Sequence, residues 1–88
     1  ISAALPALPD GATVVHGGRH GEEYRGVHGK HWLVTFANQY ELSVVEAYGT
    51  YGVEAAIFSP DGTLYGDDVH GWCTPESLAD LIRQADAL

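Results

Sequence analysis

The 88 residues contain one cysteine, Cys73, and no methionine. A single thiol cannot close an intramolecular disulfide, which excludes a disulfide-stapled secreted scaffold and suits a reducing cytoplasm. Without an initiator methionine, a processed or trimmed N-terminus is expected. The opening ISAALPALPDG has no basic leader and is broken by Pro6 and Pro9, so it does not read as a signal peptide. Basic residues are equally scarce: Arg19, Arg25, Lys30 and Arg83 stand against 12 acids, giving a net charge of −8. Proteins hold nucleic acids largely by neutralising phosphates, so this balance disfavours direct binding of DNA or RNA. No run approaches the roughly 20 apolar residues of a membrane span, and no membrane partner is expected.

What the chain does have is a 45% hydrophobic fraction, ordinary for a globular domain and sufficient for one small core. Its charge is unevenly spread. From Trp32 onward Glu41, Glu46, Glu54, Asp61, Asp67, Asp68, Glu76, Asp80 and Asp86 face Arg83 alone. The other basic residues fall in His16–His31, HGGRHGEEYRGVHGKH, with four of the five histidines.

Residues 1–11 read as an extended, proline-punctuated arm ending in the turn pair Asp10-Gly11. The remainder, 12–88, reads as a single α+β domain. ATVVH (12–16) suits a short strand, and the glycine density of 16–30 predicts a Gly/His-rich loop. HWLVTFA (31–37) puts Trp32, Val34 and Phe36 on one face by the two-residue strand period. Asn38-Gln39 is a turn, with Asn suited to the left-handed region. YELSVVEA (40–47) resumes the alternation until Val45, where a bulge or burial on both faces is expected. VEAAIF (53–58), the turn Ser59-Pro-Asp-Gly62 and Thr63-Leu-Tyr65 predict a hairpin. In TPESLADLIRQADAL, Thr74 is a cap, Pro75 suits the first helical position and Glu76 complements the dipole. Leu78, Leu81, Ile82 and Ala85, with Leu88 a further candidate, form its apolar stripe. The predicted fold is a small antiparallel meander of three to five strands with one C-terminal helix packed on it.

Several short motifs recur in one order: Phe36-Ala-Asn-Gln-Tyr40, Ser43-Val-Val45, Tyr51-Gly-Val-Glu-Ala-Ala-Ile57, Gly62-Thr-Leu-Tyr65 and Val69-His-Gly-Trp-Cys-Thr74. Over residues 36–75 the chain thereby resembles a group of small accessory proteins encoded by phages of actinobacteria. It departs from that group at Gln39, where glycine is usual, and at Val53, where a second glycine is missing. The histidine segment has no counterpart there. The resemblance implies a compact phage-borne protein in the cytoplasm of a bacterial host, acting by binding a host component or a defence protein. It transfers no catalytic residue.

Four histidines and one cysteine supply metal-ligand types, but His16 and His20 would share a face only on a helix, and Gly17-Gly18 opposes one. His28 and His31 match no zinc-finger spacing either. A metal or small-ligand site on His16, His20, His28 and His31 is therefore the secondary expectation, with a solvated polar loop as the plainer one. The mixture Arg19, Tyr24, Arg25, Lys30, His31 and Trp32 could suit a phosphorylated ligand or single strand. Glu22 and Glu23 sit in its middle, and no phosphate-binding glycine motif accompanies it. Serines 43, 59 and 77 lie in no nucleophile elbow, so no enzyme and no cofactor is expected. Cys73, just ahead of the helix, could have its thiol pKa lowered there or simply fill space.

The acids from Glu41 to Asp86 suit mimicry of a phosphate track in a basic cleft, or equally a plain solvated surface. Among the aromatics Tyr40, Tyr48, Tyr51, Tyr65, Trp32 and Trp72, the loop tyrosines Tyr48 and Tyr51 have the look of interface anchors. Core packing with hydroxyl tips outward is the alternative. The primary expectation is an acidic interaction module. Its partner surface is placed at Tyr48, Tyr51, Asp61, Asp67 and Asp68, on one rim made by the connections after the second and third strands. Its partners would be a host or defence protein, and a second copy of the chain if a bare edge or face is left.

Overall fold

The computed structural model describes residues 5–16, 22–24, 27–47, 50 and 52–88; for residues 16, 22–24, 27, 28, 47 and 67 it describes the backbone. Six strands precede one helix: β1 (Thr13–His16), β2 (Glu22–Tyr24), β3 (Val27–Thr35), β4 (Glu41–Ala47), β5 (Val53–Phe58), β6 (Leu64–His70) and α1 (Pro75–Asp86). All pairings are antiparallel, in the order β1-β3-β4-β5-β6, with β2 also paired to β3. This is the expected α+β meander with its C-terminal helix, enlarged by β2 to six strands.

The enlargement comes from the histidine segment. A loop over 16–30 is expected, yet β3 starts at Val27 and β2 pairs back onto it, with Glu22 opposite His31 and Glu23 opposite Lys30. The glycines lower local strand propensity, but β4 provides a ladder that reaches Gly29 and Lys30, opposite Ala47 and Glu46. Cross-strand pairing outweighs propensity here, as it does generally in sheets. β3 is long enough to hold β2 along its first half and β1 along its second.

Alternation sorts the sheet into two faces. Trp32, Val34, Phe36, Leu42, Val44, Ala55 and Ile57 are buried on one, beneath Leu78, Leu81, Ile82 and Ala85 of the helix. Among the described residues no polar or charged side chain is buried with them. Each large side chain so placed contributes about 1.5–3 kcal/mol. No bulge occurs at Val45: β4 keeps constant register with β3 and β5, and Val45 is half-buried on the second face. Burial on both faces, not a bulge, accounts for the paired valines.

Thr74 caps the helix, accepting from Ser77 N, while Ser77 Oγ accepts from Thr74 N in a reciprocal capping box. Leu88 is not part of the stripe; it is exposed. The far end of the helix is held by the β3–β4 turn. Asn38 Nδ2 donates to Ala85 O at 2.7 Å and to Leu88 O at 3.1 Å, while its Oδ1 accepts from Tyr40 N at 3.0 Å. The residue in the left-handed region is therefore not Asn38, whose side chain is committed to these bonds, but Gln39, at φ 72°. The N-terminal arm also belongs to the body, because Leu5 and Leu8 pack against the core. A cavity of about 270 Å³ lies between Ala7, Leu8 and Pro9 of the arm and Ala79 and Ile82 of the helix.

Candidate functional site

The helix covers one face of the sheet, and the second face is left to neighbouring side chains. Its register rows run Leu33–Ser43–Ala56–Val69 and Thr35–Glu41–Phe58–Leu64, with His31–Val45–Glu54 alongside. Most of these residues are half-buried, but Val69, at the β6 edge, is 60% exposed. Polar groups on this face bond to each other: His31 Nε2 and Ser43 Oγ are 3.1 Å apart, and Thr35 Oγ1 donates to Glu41 Oε2 at 3.4 Å.

Among the described residues β6 is one margin of this sheet, and it is irregular. Ala56 pairs with Val69 and Phe58 with Leu64, which leaves Ile57 alone opposite Tyr65, Gly66, Asp67 and Asp68. The predicted fourth strand, Thr63–Tyr65, in fact continues through this bulged stretch to His70. A bulge bearing two aspartates on an edge strand opposes the addition of a further strand.

Beyond β6 the chain turns at Trp72, a bulky residue in the left-handed region at φ 54°. Its indole is 73% exposed. One side of the ring is laid on Gly52, where an added Cβ would come within 2.7 Å of the ring carbon Cε3. Glycine at 52 is required twice, by that contact and by its own φ of 60°. The arrangement is pinned by Cys73 N donating to Val53 O at 2.8 Å.

Cys73 itself is half-buried against the core and donates from Sγ to His70 O at 3.3 Å. A lowered pKa at the helix start is not found. Burial pushes the thiol pKa up, more than the Ser77 hydrogen bond pulls it down, and the charge on Glu54 adds to the rise. The thiol packs against the core with its pKa raised.

The expected partner residues fall in different places. Tyr48 and Tyr51 lie outside the described residues. Asp61 is exposed in the β5–β6 turn, where its Oδ1 accepts from Thr63 Oγ1 at 2.7 Å and Thr63 N at 3.0 Å; these bonds hold its carboxyl below the usual range. Asp67 and Asp68 belong to β6 itself, and Asp68 is exposed. The two connections expected to form one rim leave from opposite ends of β5. Asp61 is therefore at the far end of that strand from Thr50 and Gly52. A meander makes this unavoidable, since successive turns alternate ends.

Of the metal candidates, His20 is outside the described residues, His16 and His28 are described in backbone only, and His31 is tied to Ser43. No group of three or more His, Cys, Asp or Glu able to hold a metal ion is present among the described residues. Trp32, expected as a stacking surface for a ligand, is fully buried. Tyr40 and Tyr65 pack on the core and on each other edge to face, their centroids 6.1 Å apart. What sequence reasoning missed is the contact between Trp72 and Gly52. The available signal was Gly71-Trp72 directly after a strand, a place where an apolar side chain has no core to enter.

No helix among the described residues is long and apolar enough to cross a membrane. No protein-family model, curated protein or solved structure matches the chain.

Proposed function

We propose that the chain is a small acidic interaction module of phage type that works by binding a basic surface of a host or defence protein. The supporting observation is the charge asymmetry: nine acids against Arg83 from Trp32 to Leu88. That one base is itself paired with Asp80 on the exposed side of the helix. Such a field accelerates encounter with a basic cleft and repels polyanions and other acidic proteins. The motif order over residues 36–75 agrees with this reading, and nothing in it requires a catalytic step.

The test is affinity capture from lysate of an actinobacterial host, using wild type and a Tyr48→Ala/Tyr51→Ala variant, followed by mass spectrometry. Each captured protein is then purified and measured alone. The reading predicts a partner with a basic cleft whose affinity falls steeply with salt. A captured partner with an acidic or neutral surface and salt-independent affinity would contradict it.

A further inference from the structure

Two Asp-Gly pairs occur in the chain, Asp10-Gly11 and Asp61-Gly62, each in an exposed turn. With no side chain on the glycine, its amide nitrogen can reach the aspartate Cγ and close a succinimide ring. The N–Cγ bond forms, the Cγ–OH bond of the neutral acid breaks, and one water leaves with that hydroxyl and the amide proton. A second water then opens the ring. Attack at the former side-chain carbonyl restores aspartate. Attack at the main-chain carbonyl leaves isoaspartate, whose chain runs through Cβ and Cγ.

The two turns treat this chemistry differently. At Asp61 both reacting groups are occupied. Gly62 N donates to Ser59 O at 2.8 Å, and Ser59 N donates to Thr63 O at 2.8 Å across the same turn. Asp61 Oδ1 accepts from Thr63 Oγ1 and Thr63 N, and these bonds keep the carboxyl ionised to a lower pH than usual. An ionised carboxylate has no hydroxyl to lose, and a bonded N–H is a poor nucleophile. At Asp10 such bonds are missing. Among the described residues neither its carboxylate nor Gly11 N makes a hydrogen bond. The turn is closed one residue later by Ala12 N donating to Pro9 O at 3.2 Å, the long end of the usual range. The fold nevertheless requires the glycine that makes the pair reactive. Gly11 stands at φ 83°, and a Cβ there would come 3.0 Å from that of Ala37.

We propose that Asp10-Gly11 is a site of spontaneous conversion to isoaspartate that loosens the N-terminal arm, while Asp61-Gly62 is protected from the same reaction by its turn. The reactive pair joins the arm to β1. Leu5 and Leu8 pack against the core on one side of it, and Thr13 pairs with Thr35 on the other. Isoaspartate adds one carbon to the main chain between Pro9 O and Ala12 N, so the bond that closes the turn is lost. The arm is then held by its apolar contacts alone. One carboxylate replaces another, so the net charge of −8 is kept and the acidic-module reading does not depend on the outcome.

The test is to age the protein at mildly acidic pH, folded and unfolded in urea, and to quantify isoaspartate at each site by electron-transfer fragmentation of its peptides. In urea, where both turns are lost, the two sites should convert at rates within a few-fold of each other. In the folded protein Asp10 should stay within about threefold of its urea rate, and Asp61 should fall at least about tenfold below its own. Thr63→Val should speed conversion at Asp61 several-fold and leave Asp10 unchanged. The folded form carrying isoaspartate at position 10, once separated, should melt below the unconverted protein. Asp10→Glu, which keeps the charge but cannot close the ring, should keep its melting temperature on ageing. Protection of Asp10 as strong as that of Asp61, or conversion of folded Asp61 at its urea rate, overturns the assignment of the sites. A converted form that melts with the unconverted one overturns the loosening of the arm.

Discussion

Two single residues carry tests that depend on nothing beyond their own surroundings. The Asp61 carboxyl is held below its ordinary pKa by two bonds from Thr63. A carboxyl with a depressed folded pKa contributes stability above its unfolded value and loses it as pH falls through the folded one. Thr63→Val, which removes the hydroxyl donor, should therefore raise the Asp61 midpoint toward the ordinary value, as followed by NMR titration; an unmoved midpoint would count against that bond. Cys73 shifts the other way, its thiol pushed up by burial. Its stabilising effect is complete below the unfolded pKa and declines as pH rises toward the folded one. At pH near 8 the folded protein should react with iodoacetamide several-fold more slowly than an unstructured cysteine peptide; an equal or faster rate would contradict the assignment as a packing thiol. Neither shift was legible in the sequence. Asp61 read as a turn residue and a partner-surface candidate, with nothing to show its bonds from Thr63, and the position of Cys73 before a helix allowed either a lowered pKa or a space-filling role.

At the scale of elements, the clearest joint is between the β3–β4 turn and the end of the helix. Asn38 answers the Ala85 carbonyl at 2.7 Å and reaches that of Asp86 at 3.5 Å, two of those that a helix C-terminus leaves open. Asn38→Ala should lower stability by about 1–2 kcal/mol in denaturant unfolding. Gln39→Gly should raise it by about 1 kcal/mol, because glycine takes φ 72° freely. Opposite signs at adjacent positions would be hard to obtain from any other turn geometry. The helix itself was readable almost to the residue, since Thr74, Pro75 and the leucine spacing are local signals. The same holds for β5 and the Ser59–Gly62 turn, closed by Gly62 N donating to Ser59 O at 2.8 Å. β2 and the start of β3 were not readable, because glycine-rich strands exist here only through partners distant in sequence. The same physics hid the bulge in β6, which depends on register with β5 rather than on composition.

At the scale of the whole molecule, the described residues form a sheet with one face sealed by a helix and an exposed valine at each margin, Val15 on β1 and Val69 on β6. Leu81, near the centre of the sealed face, should cost about 2–5 kcal/mol when changed to Ala. A net charge of −8 disfavours the compact state through self-repulsion, so raising salt from about 0.02 M to about 0.5 M should increase the melting temperature by a few degrees. The α+β class and the sealed face were evident from alternation and the helical stripe, whereas the placement of Trp72 was not. Trp72 read as one of the aromatics that pack in the core or anchor an interface, and the contact of its ring with Gly52 depends on a turn that the sequence does not announce. The central claim is that this acidic chain binds a basic partner, and amide NMR with nona-arginine added in steps tests it most directly. The account predicts saturable amide shifts that weaken as salt rises from about 0.05 M to about 0.5 M. The absence of shifts at about 0.05 M salt, or shifts indifferent to salt, would contradict it.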